Sequence, residues 1–234
     1  MNIQGNTYTL IYSSVLVIVV AIGLAFTALK LQPQQEKNIE IEKKQNILAS
    51  VGLTSTVENA EALYDENIKE TFVINSNGDK VESVNAFTVD MKLEQSKEVS
   101  ERNLPVFVCR KDTNNYYIIP LRGKGLWGPI WGYISLEADF NTVYGAFFDH
   151  KGETPGLGAE INTAWFQEPF IGKKLFDETD KFVSILVLKG GQADLSDPHQ
   201  VDAISGGTIT SKGLEKMLYE CLLPYEKYFK ANKL

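Results

Sequence analysis

Residues 106–148 read VFVCRKDTNNYYIIPLRGKGLWGPIWGYISLEADFNTVYGAFF. Four runs within it, 106–110, 116–121, 132–137 and 142–148, are rich in β-branched and aromatic residues and are parted by polar or glycine-rich stretches, which predicts four strands in succession. Working outward, TFVIN at 71–75, an Asn77-Gly78 turn of the hairpin type and VESVNAF at 81–87 predict two more strands. FVSILVLK at 182–189 predicts another. Beyond it, Leu214, Met217, Leu218, Cys221 and Leu222 recur at i, i+3, i+4, i+7 and i+8, one apolar face of a helix beginning near Ser211. The expected fold class is therefore α+β: a mixed or antiparallel sheet with flanking helices.

Upstream, residues 10–29 read LIYSSVLVIVVAIGLAFTAL, and no Lys, Arg, Asp or Glu occurs before Lys30. About 20 apolar residues at 1.5 Å each match the thickness of a bilayer core. A cleaved signal peptide is disfavoured, because the run lacks a basic n-region and an A-x-A site. Residues 34–51 then predict a mostly charged helix ending at Gly52, with Thr56 capping a second helix to about Lys69. The expected organisation is a membrane anchor at 1–30, a helical stalk and N-terminal lobe at 31–100, and a functional domain at 101–234. Lys30, Lys37, Lys43 and Lys44 follow the span, so the positive-inside rule alone keeps the domain cytoplasmic. Glu36, Glu40 and Glu42 are interspersed among them, and a long segment translocates largely regardless of flanking charge.

Charge and composition exclude several function classes. Lys plus Arg number 23 against 30 for Asp plus Glu, a net charge of −7, so no basic stripe serves a phosphate backbone and nucleic-acid binding is not expected. Two cysteines and two histidines cannot build a Cys/His zinc site without carboxylates, nor the four thiolates an iron–sulfur cluster usually needs. No metal site is expected. Cys109 and Cys221 read as buried thiols, and His150 and His199 as surface residues.

Chemistry concentrates in three glycine-punctuated segments expected outside the strands. The first is Gly123-Lys124-Gly125-Leu126-Trp127-Gly128-Pro129, where Trp127 is either a core aromatic or a flat apolar surface in a loop. The second, Gly152-Glu153-Thr154-Pro155-Gly156-Leu157-Gly158, reads locally as a turn. The third, Asp202-Ala203-Ile204-Ser205-Gly206-Gly207-Thr208-Ile209-Thr210-Ser211, reads as an ordinary helix cap or as a phosphate site at a helix N-terminus. Neither a Walker A nor a dinucleotide fingerprint is present.

These three motifs, in this order, resemble the FMN-binding domain family, most closely its branch in sodium-translocating NADH:quinone reductases, over essentially the whole chain. The resemblance implies FMN joined through its phosphate to the hydroxyl of Thr208, with Gly207 standing where the family usually has Ala. It implies that a magnesium-dependent flavin transferase reads Asp202, Ser205 and Gly206, and that Thr210 belongs to the same site. The ring is expected to meet Glu153, Thr154, Leu157 and Gly158, with Trp127 at its edge or face. Lys189 is either an ammonium near the ring or phosphate, or a solvated lysine at a strand end. The expected role is a single-electron carrier without a complete active site of its own, on the periplasmic side of a bacterial inner membrane. Its expected partners are the other members of a six-subunit complex, above all the B, D and E subunits, passing electrons from an iron–sulfur centre to the FMN of the B subunit and on to quinone. NADH, quinone and sodium are not expected to bind this chain. The alternatives are the G subunit of the Rnf ferredoxin:NAD oxidoreductase complex and an anchored, non-redox binding module.

Overall fold

A computed structural model describes residues 5–233, and they fall into two units, Met1–Lys43 and Lys44–Leu234. The expectation for residues 1–4 of the anchor lies outside the described residues.

In the first unit the chain is helical from Asn6 onward, as part of α1 (Asn6–Ala49). Its apolar stretch is long and apolar enough to cross a membrane, and none of that stretch is buried within the protein. The expected span and stalk are thus one helix and not two. Pro33 lies inside it; proline removes a single backbone donor, and the helix-favouring residues on either side carry the helix past it.

The second unit is built on a five-stranded antiparallel meander: β1 (Ile68–Ile74), β2 (Leu104–Lys111), β3 (Asn114–Lys124), β4 (Pro129–Leu136) and β5 (Val143–His150), in that spatial order. All four strands expected from 106–148 are present. The boundary expected near residue 100 falls between β1 and β2, which are hydrogen-bonded neighbours, so residues 44–100 belong to the sheet domain. The apolar runs are nearly continuous because the sheet is buried on both faces. Val106, Ile119, Ile134 and Phe148 feed one core, while their neighbours Phe107, Ile118 and Tyr133 feed a second with Ile47, Leu48 and Tyr64.

Three further expectations need correction. The Asn77-Gly78 turn forms, with Gly78 at φ +91° and Asn75 Oδ1 accepting from the N–H groups of Asn77 and Asp79. Its second arm is not a strand: after a bridge at Lys80 the chain leaves the ladder, and Asn85 Oδ1 accepts from Phe87 N to start a short 3₁₀ turn. The helix expected from Thr56 is α2 (Ala60–Asn67), preceded by Asn59, whose Oδ1 accepts from Thr56 N. The run 182–189 yields only the short strand β6 (Leu186–Leu188), because Ser184 sits at φ +62°, a backbone corner that breaks an extended segment.

α3 (Met91–Gln95) precedes β2, and α4 (Ala164–Gln167) follows β5. β6 pairs in parallel with β7 (Gln200–Asp202), which leads directly into α5 (Thr208–Leu222), and α6 (Glu226–Asn232) closes the domain. The predicted apolar face of α5 is buried at Leu214, Met217, Leu218, Cys221 and Leu222. Gly213 lets α5 approach the end of β3, since a Cβ there would strike the Lys124 carbonyl.

Candidate cofactor site

The first glycine segment is not a free loop. Gly123 and Lys124 end β3, Pro129 begins β4, and Gly125 N donates to Gly128 O at 2.8 Å, making a tight hairpin tip. Trp127 stands on that tip, 70% exposed, so it is a surface aromatic and not a core one.

The second segment leaves β5 and turns at Gly156, whose φ is +75°. Leu157 N and Ala159 N both donate to Thr154 O at 3.1 Å. Glu153 points inward from this loop and is 5% exposed. Its Oε1 accepts from Trp127 N at 2.8 Å and Gly128 N at 3.3 Å, and its Oε2 accepts from Thr210 Oγ1 at 2.6 Å. One carboxylate thereby ties together all three glycine segments.

The third segment runs from β7 into α5. Asp202 accepts from Gln192 N at 3.2 Å and Ala193 N at 3.1 Å, holding the turn after β6 against the start of the segment. Gly206 takes φ +76° and Gly207 precedes the helix, whose first residue is Thr208, three positions earlier than expected. Packing sets that start: Ser211 N already donates to Gly207 O at 2.9 Å, and Ser211 Oγ accepts from Ile204 N at 3.1 Å. Thr208 and Ser205 are exposed, whereas Thr210 and Ser211 are buried. The Thr208 hydroxyl therefore stands at the head of a 15-residue helix, where the opening N–H groups have no intrahelical partner and the helix dipole favours an anion. Leu157, half-exposed, leans on Gly206 and Gly207, and a Cβ at Gly207 would lie 3.0 Å from Ile204 Cβ.

Of the residues expected at the site, Trp127, Glu153, Leu157, Gly158, Gly206, Gly207 and Thr210 are brought together by these contacts. Lys189 is exposed in the turn after β6, and Thr154 is exposed on the second loop. His150 corrects its expectation as a surface residue: it is half-buried, and its Nδ1 accepts from Glu153 N at 3.1 Å. The His150-x-x-Glu153 spacing was the available signal. Both cysteines are free and buried, and no group of His, Cys, Asp and Glu suited to a metal occurs among the described residues.

Burial pushes the Glu153 carboxyl up, but the hydrogen bonds from Thr210 and from the Trp127, Gly128 and Leu126 N–H groups outweigh it and hold the group below the usual carboxylate range. A carboxyl depressed in the folded state adds stability at neutral pH that disappears as pH falls from the ordinary carboxylate range through the depressed value. Asp139, half-buried, and Glu94, buried, are likewise held low by hydrogen bonds against desolvation and act in the same direction. Melting the wild type and Glu153→Gln between pH 7 and pH 3 should therefore show a flatter acid limb in the variant. Equal slopes would mean that folding leaves the Glu153 carboxyl where it is in the unfolded chain, and a steeper acid limb in the variant would mean that it is raised.

An exposed threonine at a helix head, in a segment that Glu153 ties to the glycine-flanked hairpin tip carrying the surface residue Trp127, makes up the candidate site. Residues 125–223 match the family model of the FMN-binding domain, the class of protein to which such a site belongs. The C subunit of the Na(+)-translocating NADH-quinone reductase of Vibrio vulnificus is 33% identical over 85% of this chain and 83% of its own length. The Pseudomonas aeruginosa protein of that name is 30% identical over 93% of this chain and 92% of its own. Among solved structures, the corresponding C subunit from Parabacteroides distasonis superposes with a TM-score of 0.79 at 46% identity, covering 85% of this chain and 96% of that one. NqrC of Shewanella oneidensis follows with a TM-score of 0.68 at 26% identity, covering 83% and 97%. The chain belongs to the family of Na(+)-translocating NADH-quinone reductase C subunits.

Proposed function

We propose that this chain is the membrane-anchored flavin carrier of a sodium-translocating NADH:quinone reductase, with FMN joined by a phosphodiester to Thr208. The observation that carries the reading is the Thr208 hydroxyl, exposed on the first residue of α5 in a segment whose Thr210 is bonded to Glu153, the carboxylate that also holds the hairpin tip carrying Trp127. The residues suit the group: the helix head accommodates a phosphate, and the glycines at 206 and 207 leave the hydroxyl open to another protein.

A threonine hydroxyl is a weak nucleophile near neutral pH, and no histidine or cysteine lies in the motif to activate it. Attachment is therefore the work of a magnesium-dependent flavin transferase that recognises Asp202, Ser205 and Gly206. Thr208 Oγ forms a bond to the flavin-side phosphorus of FAD, the pyrophosphate bond breaks, AMP leaves with the bridging oxygen and the hydroxyl proton goes to solvent. No electrons change hands in that step.

Bound FMN supplies one-electron redox chemistry. The chain's residues would hold and tune it: the opening N–H groups of α5 beside Thr208 would hold the phosphate, a stabilisation of about 0.3–1 kcal/mol that serves orientation. Trp127 and Leu157 offer apolar surface to the ring, beside the backbone of Thr154 and Gly158. Lys189, on an exposed turn, supplies a cation on the side of the third segment. Residues 10–29 anchor the domain on the periplasmic face, and the B, D and E subunits of the six-subunit complex are the partners, with electrons arriving from an iron–sulfur centre and leaving toward the FMN of the B subunit and ubiquinone.

Expression with and without the transferase, followed by intact mass and in-gel fluorescence of denatured protein, tests the reading. Retained fluorescence is expected, and colour lost on denaturation would overturn covalent attachment and leave a non-covalent site or the non-redox module. Trp127→Ala should load normally but shift the flavin absorption and midpoint potential. An unchanged redox titration would place the ring elsewhere.

A further inference from the structure

Resting on the proposed flavin attachment, we infer that Glu153 and Thr210 are a positioning pair: they set the first turn of α5 and the Trp127 hairpin tip in one arrangement before the cofactor arrives, without touching it.

Both side chains are consumed by each other and by backbone. Glu153 Oε1 holds two hairpin N–H groups, its Oε2 holds the Thr210 hydroxyl, and Thr210 is 1% exposed. The carboxylate is also sealed by two glycines. A Cβ on Gly125 would lie 2.5 Å from Glu153 Oε1, and one on Gly158 would lie 2.7 Å from Oε2. With glycine at both positions the backbone closes over the carboxylate, which leaves its oxygens no path to a ligand. The pair is instead a strut between segments 26 and 57 residues apart in sequence.

Its place in the helix explains why a carboxylate is used. Thr210 is the third residue of α5, so Glu153 puts a negative charge on the inner side of the helix head, where the dipole favours it. Thr208, two residues earlier, is exposed on the outer side. The inner side of the turn is anchored by the carboxylate, and the outer N–H groups remain for a phosphate. His150 Nδ1, accepting from Glu153 N, fixes the backbone from which the carboxylate projects.

The test uses full-length wild type and the variants Glu153→Gln, Thr210→Val, Thr210→Ser and Thr208→Ala, each expressed with a limiting amount of flavin transferase. The readouts are covalent flavin per chain by intact mass, the flavin spectrum and midpoint potential of the loaded fraction, and circular dichroism for the fold. Thr210→Ser keeps the hydroxyl and should match wild type. Thr210→Val and Glu153→Gln should load about tenfold more slowly, the change expected from losing one hydrogen bond to a charged group. Their loaded fraction should carry a shifted potential, which a purely structural loss of stability would not produce. Wild-type loading and potential in both variants would overturn the inference. If Thr210→Val does not fold, Glu153→Gln, nearly isosteric, decides by the same readouts. Wild type that stays unlabelled, or Thr208→Ala that is labelled, would instead defeat the attachment reading itself.

Discussion

Thr208→Ala is expected to abolish covalent flavin while leaving a folded domain. The hydroxyl is exposed and makes no cap, since the residue before the helix is Gly207, so its loss should change stability by no more than about 0.5 kcal/mol. No neighbour can substitute. Thr210, the alternative nearest in sequence, is buried and donates to Glu153, and Ser211 is buried and accepts from Ile204 N. Ser205 is exposed but lies outside the helix, two residues before Gly207. Denaturing-gel fluorescence and the intact mass should both fall to background, and a fluorescent Thr208→Ala band would refute the assignment.

Phe148→Ala should produce the largest loss of stability. Phe148 is fully buried on β5, with ring centroids 5.0 Å from Phe170 and 6.4 Å from Phe166 in edge-on geometry. Those two rings come from the segment that follows the Glu153 loop, and Gln167 Nε2 adds a hydrogen bond to the Phe148 carbonyl at 3.0 Å. Truncating a buried phenylalanine removes its transfer free energy and leaves a cavity, costing about 3–5 kcal/mol. For a domain of this size that corresponds to a drop in Tm of about 6–20 °C. Because Phe148 lies on β5, the strand that leads into the Glu153 loop, flavin loading should fall with it. A drop in Tm of only a degree or two would mean that the aromatic cluster relaxes around the gap.

The five strands of the meander were legible because each holds a short β-branched and aromatic run between turn residues, a signal carried within each run itself. The α5 face was legible for the same reason, as its apolar residues repeat on a helical period. Strand expectations failed where a local side-chain hydrogen bond at Asn85 or a left-handed backbone corner at Ser184 overrode apolar content. The span and stalk fused because nothing between them stops a helix: Pro33 removes one donor and leaves the flanking residues helical.

Within the site, residue types and their order pointed to a phosphate-bearing flavin, and the glycine and hydroxyl chemistry around Thr208 is a property of adjacent residues, written directly in the chain. What the chain order could not show is which hydroxyl is free and which is spent. That is decided by Glu153 reaching Thr210 from 57 residues away and Trp127 from 26, and by Gly125 and Gly158 closing over its carboxylate. Periodicity and turn chemistry are local and leave their mark in sequence. A buried hydrogen bond between distant segments leaves none, because it exists only once the sheet has brought those segments to the same edge.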